Sequence, residues 1–156
     1  MTLDEKNAIL IQLGSDVLSS EMATDAVWFR QGVAILEADE AFGRSVRHPE
    51  IVRGIHASGS FYPIPLDRFR TMRYATKTFQ EIGITSPVEV YGCPLEWANR
   101  LSKHFNQGRL TVFQVKEILK AMRLYYKSKQ VDFARLRTQE GLDQIKTSLD
   151  LHRFNP

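Results

Sequence analysis

The chain has 156 residues, of which 43% are hydrophobic and 25% charged, with a formal net charge of +3. That is enough apolar material to bury the core of one domain, which argues against wholesale disorder. No apolar run approaches the roughly 20 residues of a membrane-spanning helix, and a single cysteine, Cys93, excludes an intrachain disulfide and makes a reducing cytosol the expected compartment.

Asp4, Glu5 and Asn7 ahead of the first apolar run depart from the basic start of a secretory signal, so a cytoplasmic protein without a membrane partner is expected. Thr2 and Glu5 form a capping-box pattern, after which Ile9, Leu10, Leu13, Val17 and Leu18 recur at helical spacing. A second helix is predicted over about 22–44, with Trp28, Ile35 and Phe42 seven apart on one face. His48-Pro49 must break it, because a residue before proline is pushed out of the helical region. Pro49 then opens a short helix through Ile55. Residues 56–65, HASGSFYPIP, read as a loop.

The third long helix is predicted over about 66–82, ending near Gly83, with Leu66, Phe69, Met72, Ala75 and Phe79 as its buried side. Residues 84–93 form an extended connection with room for one short strand. Pro94 opens a helix ending near Asn106, Gln107-Gly108 turns the chain, and Thr111 caps the longest helix, about 112–129. A last helix, roughly 139–151, carries Leu142, Ile145, Leu149 and Leu151. Strand-like alternation is nearly absent, so the expected fold is all-α, a compact bundle of about five to six helices.

Charge is sorted along this order. Residues 1–43 carry two basic against eight acidic side chains, a net of −6, whereas residues 44–137 carry seventeen basic against seven acidic, a net of +10. The chain accordingly reads as an acidic helical hairpin or arm, 1–47, and a basic helical body, 48–156. A basic stretch of this size is the electrostatic footprint of a polyanion partner.

Three successive helices place cations on one stripe. They are Arg70, Arg73 and Lys77 on the first, Arg100, Lys103 and His104 on the second, and Lys116, Lys120, Arg123 and Lys127 on the longest. At about 100° per residue the last four fall within roughly 60° of arc. Val112, Val115, Leu119, Met122 and Tyr126 form the adjoining, core-facing arc, and Phe113 and Leu124 flank the stripe on its other side. Like charges at i, i+4 repel by a few tenths of a kcal/mol per pair. Only Glu117 offers an opposing charge on that helix, off the stripe. A lysine-rich face is by default solvated surface. Three in succession with few acids favour a nucleic-acid backbone, with RNA or single-stranded DNA ahead of duplex, or else an acidic protein surface. The aromatic residues interleaved with these cations mostly suit the core. Tyr62, in the Gly/Pro loop, is the candidate for stacking on a base, against packing in the core or on a partner.

A helix-turn-helix reading of 94–129 fails, because the second helix is too long and its cations run its whole length. No P-loop, no paired carboxylates beside a histidine and no Cys–His or Ser–His arrangement occurs, so a non-enzymatic protein is expected. The histidines stand singly, without zinc spacing, and no metal or cofactor is expected. Glu37, Asp39 and Glu40 fall late in their helix, where the macrodipole disfavours negative charge. They are candidate partner-binding residues. They answer positive charge within the chain, meet the basic body of another copy in self-association, or form a solvated face.

Residues 98–126, ANRLSKHFNQGRLTVFQVKEILKAMRLYY, resemble the helical segment of small subunits of type III CRISPR effector complexes. There a short helix leads through a Gly-basic turn into Leu-Thr, then Gln followed by an aliphatic and a basic residue. Here these are Gly108, Arg109, Leu110, Thr111, Gln114, Val115 and Lys116. The resemblance implies a small, helical, non-catalytic subunit that lines a guide–target duplex in a ribonucleoprotein. That family places the segment early, whereas here about ninety residues precede it. The same stretch is more loosely similar to the second half of the FinO/ProQ RNA-chaperone domain, without that family's Arg-Pro-Leu entry or its later Gly/Arg-Tyr element. Both resemblances imply RNA.

Overall fold

A computed structural model describes residues 2–21, 26–43, 45–59 and 63–128. Six α-helices, one short 3-10 segment and no strand occur among them. The helices are α1 (Leu3–Glu21), α2 (Val27–Phe42), α3 (His48–Ala57), α4 (Leu66–Ile82), α5 (Leu95–Asn106) and α6 (Val112–Ser128). The fold is an all-α helical bundle. The helix predicted over 139–151 and the loop residue Tyr62 lie outside the described residues, as does the side chain of Lys127.

Local chemistry sets the boundaries. Thr2 and Glu5 cap α1 reciprocally: Glu5 N–H donates to Thr2 Oγ1 and Thr2 N–H to Glu5 Oε2, each at 3.2 Å. Helix α2 stops at Phe42, two residues before the predicted end. There Gly43 takes a positive φ (59°) with ψ −125°, a conformation open to glycine, and its N–H bonds the Asp39 carbonyl. Arg47 is the extended cap of α3, and His48 is already helical although it precedes Pro49, because the proline falls in the first turn, where no intrahelical N–H is needed. The helix runs past Ile55 to Ala57, because Ser58 closes it with its N–H and hydroxyl both on the Gly54 carbonyl.

Helix α4 spans its predicted range and ends in a Schellman motif. Ile84 N–H bonds Phe79 O, Gly83 N–H bonds Gln80 O, and Gly83 takes φ 102°. The chain emerging from it does not form a strand. Ser86-Pro87-Val88-Glu89 is itself a capping box with proline in the first turn, and it winds Pro87–Val90 into a 3-10 turn. Pro94 precedes α5 as its cap rather than lying in its first turn, and its carbonyl accepts from Trp97 and Ala98 N–H.

Contacts divide the chain into two compact units, Met1–Lys77 and Thr78–Pro156, with the division inside α4. In the first, α1 packs on α2 and α3 around Leu13, Val17, Phe29, Ile35, Ile51 and Ile55, all buried. Small residues permit the close approaches. A Cβ on Gly54 would lie 2.6 Å from Leu10 Cδ2, one on Gly14 2.2 Å from Ser58 Cβ, and one on Gly32 1.9 Å from Thr76 Oγ1. In the second unit, α6 packs on α5 and the 3-10 segment. Its core includes Trp97, Leu101, Val115, Ile118 and Met122, each fully buried. Val112, expected to face the core, is exposed at the first position of α6.

Cys93 lies in the second core, and burial raises its thiol pKa far above the ordinary range. The folded protein should therefore resist a thiol-directed reagent at pH 8, whereas urea-unfolded protein reacts at once. Above about pH 8.5 the unfolded thiol ionises and the folded one does not. Stability should thus fall as pH rises through that value, which urea titrations at pH 7 and pH 9.5 would read as a lower midpoint at the higher pH.

Candidate functional site

The start of α6 is fixed by a second reciprocal cap. Gln114 N–H donates to Thr111 Oγ1 at 3.2 Å, and Thr111 N–H donates to Gln114 Oε1 at 2.9 Å. With the helix phase set, Val115, Ile118, Leu119 and Met122 turn inward. Lys116 and Lys120 are exposed, and Arg123 is partly so. These three cations share one surface cavity of about 170 Å³, with Ile84 and Leu119 as its apolar lining and Glu89 and Glu117 also on its wall.

Each group has a local tether. Arg123 Nη1 donates to Val88 O in the 3-10 segment at 3.4 Å. Lys116 Nζ lies over Gly83, where a Cβ would sit 3.4 Å away, so its charge faces the carboxyl end of α4, where the helix dipole favours a cation. Glu89 is occupied by the backbone, accepting from Thr85 and Ser86 N–H at 3.1 Å each. Lys120 has the least local engagement of the three. The arrangement is a cavity with cations in excess, suited chemically to an oxyanion. Sequence spacing located its lysines and arginine. The contribution of Ile84, Val88 and Glu89 was missed, although the Ser-x-x-Glu pattern at 86–89 was there to be read.

On α5, Lys103 is exposed in the last turn, while Arg100 and His104 are half-buried and interact with groups of the chain. On α4, Arg70 and Lys77 are exposed. Arg73 is not: its Nε and Nη2 both reach Asp39 Oδ2 at 2.6 Å. Asp39 Oδ1 is also 3.6 Å from His48 Nε2, and the His48 ring packs at 5.3 Å on Phe69. One carboxylate of the acidic segment thus answers a cation of its own unit. Glu37 and Glu40 remain exposed, Glu37 at the edge of a cavity of about 190 Å³ between α1 and α2 lined by Ile9, Leu13, Ala34 and Ala38.

Substituting Asp39 by alanine should cost about 1–3 kcal/mol, since it strands a half-buried guanidinium. Replacing exposed Arg70 or Lys77 by glutamine should change stability by no more than about 0.5 kcal/mol. Thermal denaturation of the three variants measures the contrast.

The two units also redistribute the charge pattern. Residues 1–77 carry nine basic against ten acidic side chains, a net of −1, and residues 78–156 carry twelve against eight, a net of +4. The sorting along the sequence therefore largely closes inside the first unit. Residues 95–128 hold seven cations against Glu96 and Glu117. Arg70, Arg73 and Lys77 belong to the first unit and the α5 and α6 cations to the second.

Comparison of the chain with protein-family models, curated proteins and solved structures finds no match. Among the described residues no helix is long and apolar enough to cross a membrane, and no group of three or more His, Cys, Asp or Glu is placed to hold a metal ion.

Proposed function

We propose that this chain is a non-enzymatic protein that binds the phosphate backbone of nucleic acid, RNA or single-stranded DNA, through the basic face of α6. Lys116, Lys120, Arg123 and Lys127 would supply the contacts, with Lys103 of α5. The observation that supports it is the shared cavity of Lys116, Lys120 and Arg123 on a helix whose only carboxylate is Glu117. From Lys116 to Lys127 the stripe runs about 16 Å along the helix axis, long enough to follow several phosphates. Such binding fixes register by charge and shape and carries little sequence preference. A small subunit of a cytoplasmic ribonucleoprotein, in line with the resemblance of residues 98–126, would work in this way. Arg73, already paired, would contribute to stability rather than to binding.

Fluorescence anisotropy against single-stranded RNA, single-stranded DNA and duplex DNA at two salt concentrations tests this. Three to four neutralised phosphates on a single strand give a log–log salt slope of roughly −2 to −3. No binding to any of them at low salt would overturn the proposal.

One observation favours a second reading, an adaptor or inhibitor that meets a protein partner. The cavity between α1 and α2 has an apolar floor with Asp16 and Glu37 at its edge, and Ile11 of α1 is exposed. A stoichiometric protein complex with no affinity for nucleic acid would favour it.

A further inference from the structure

Phe113 and Leu124 are each 54% exposed on α6. Single exposed apolar residues are ordinary and need no explanation. These two are not scattered. Eleven residues apart, they fall within about 20° of each other around the helix and about 16 Å apart along it. Lys120 lies next to them in angle and between them in sequence, and Lys116 is one turn from Phe113. The exposed apolar groups therefore run along the edge of the cation stripe. Phe113 makes an interaction within the chain and still leaves over half its surface open.

A duplex offers such an edge only phosphates and sugars, because its bases are stacked on one another. A single strand offers phosphates and, beside them, base faces with no partner. Charge complementarity with the seven cations of residues 95–128, together with an apolar ring at the edge of the stripe, fits the second chemistry. Resting on the proposed function, we infer that α6 is a single-strand platform. An unpaired base stacks on Phe113 while Lys116 and Lys120 hold the adjoining phosphates, and Leu124 gives a second apolar contact further along. Stacking on an aromatic side chain tolerates any base, because every base has a π-face.

The test titrates the full chain and its Phe113→Ala and Phe113→Tyr variants with oligo(U), oligo(dT) and a duplex of equal length, in the presence and absence of polyglutamate. Phe113→Ala should weaken both single strands by about tenfold, leave the salt slope unchanged and spare the duplex. Phe113→Tyr should restore single-strand affinity, and because Phe113→Ala also gives up the ring's interaction within the chain, circular dichroism melts fix a titration temperature at which all three proteins are folded. Wild-type single-strand affinity in Phe113→Ala, or an equal loss on the duplex, would overturn the stacking role while leaving backbone binding intact. Absence of binding to every oligonucleotide would instead remove the parent reading and the platform with it. Competition by polyglutamate as effective as that by oligonucleotides would assign the face to an acidic polypeptide.

Discussion

Gly32→Ala should destabilise the protein by about 1–3 kcal/mol, against the usual gain of up to about 1 kcal/mol when a helical glycine is replaced by alanine. Gly32 is buried in α2. The added methyl would sit 1.9 Å from Thr76 Oγ1, 2.8 Å from Thr76 Cβ and 3.1 Å from the Met72 carbonyl oxygen. A threonine side chain in the middle of α4 can rotate, but the Met72 carbonyl is part of the helix ladder and cannot withdraw. The helices must then separate at this contact. Thr76 Oγ1 is buried without a hydrogen-bond partner, so Thr76→Ala alone should be close to neutral or slightly stabilising. In the double variant the smaller side chain vacates part of the space the methyl needs, and the loss should be smaller than the sum of the two single changes. Urea denaturation of the four proteins closes the cycle. A stabilised Gly32→Ala protein would show that α2 and α4 do not approach this closely.

The largest effect on binding is expected from neutralising Lys116, Lys120, Arg123 and Lys127 together to glutamine. Removing four phosphate contacts should reduce affinity at low salt by at least a hundredfold, uniformly across sequences, and flatten the log–log salt slope by roughly 2 to 3. Lys120→Gln is the cleanest single change. Lys116 also serves the carboxyl end of α4 and Arg123 the Val88 carbonyl, so their loss carries a stability component. Arg73→Gln supplies the converse result, lower thermal stability with unchanged nucleic-acid affinity. Unchanged affinity in the quadruple variant would remove α6 from the binding surface.

Elements governed by neighbours in sequence were legible beforehand. The Thr2–Glu5 cap, the N-cap at Thr111 and the apolar spacing of α4 act over three or four residues, and the sequence carries them directly. The 3-10 turn at Pro87–Val90 was open to the same reasoning, since Ser86 and Glu89 stand three apart. What composition could not convey was pairing at a distance. Asp39 and Arg73 are 34 residues apart, and only the packing of α2 with α4 turns a stripe cation into an internal partner. The division at Lys77 was hidden for a related reason. Charge changes sign near residue 44, but contacts follow buried surface, and the first unit draws its cations from both sides of that change. On α6 the stripe itself was readable from helical phase, whereas its common cavity with Ile84 and Glu89 depends on where the Schellman turn sends the chain.

The pairing of Asp39 with Arg73, within a unit whose charges almost balance, bears on how quickly a polyanion would arrive. Opposite charges held together project little field beyond a Debye length, about 8 Å at physiological ionic strength. An approaching strand would feel almost no pull from residues 1–77 and would be drawn in by the excess of cations on residues 78–156. The encounter rate, and not only the final affinity, would then be set by the second unit, and it should slow with added salt even in variants whose first-unit cations have been removed.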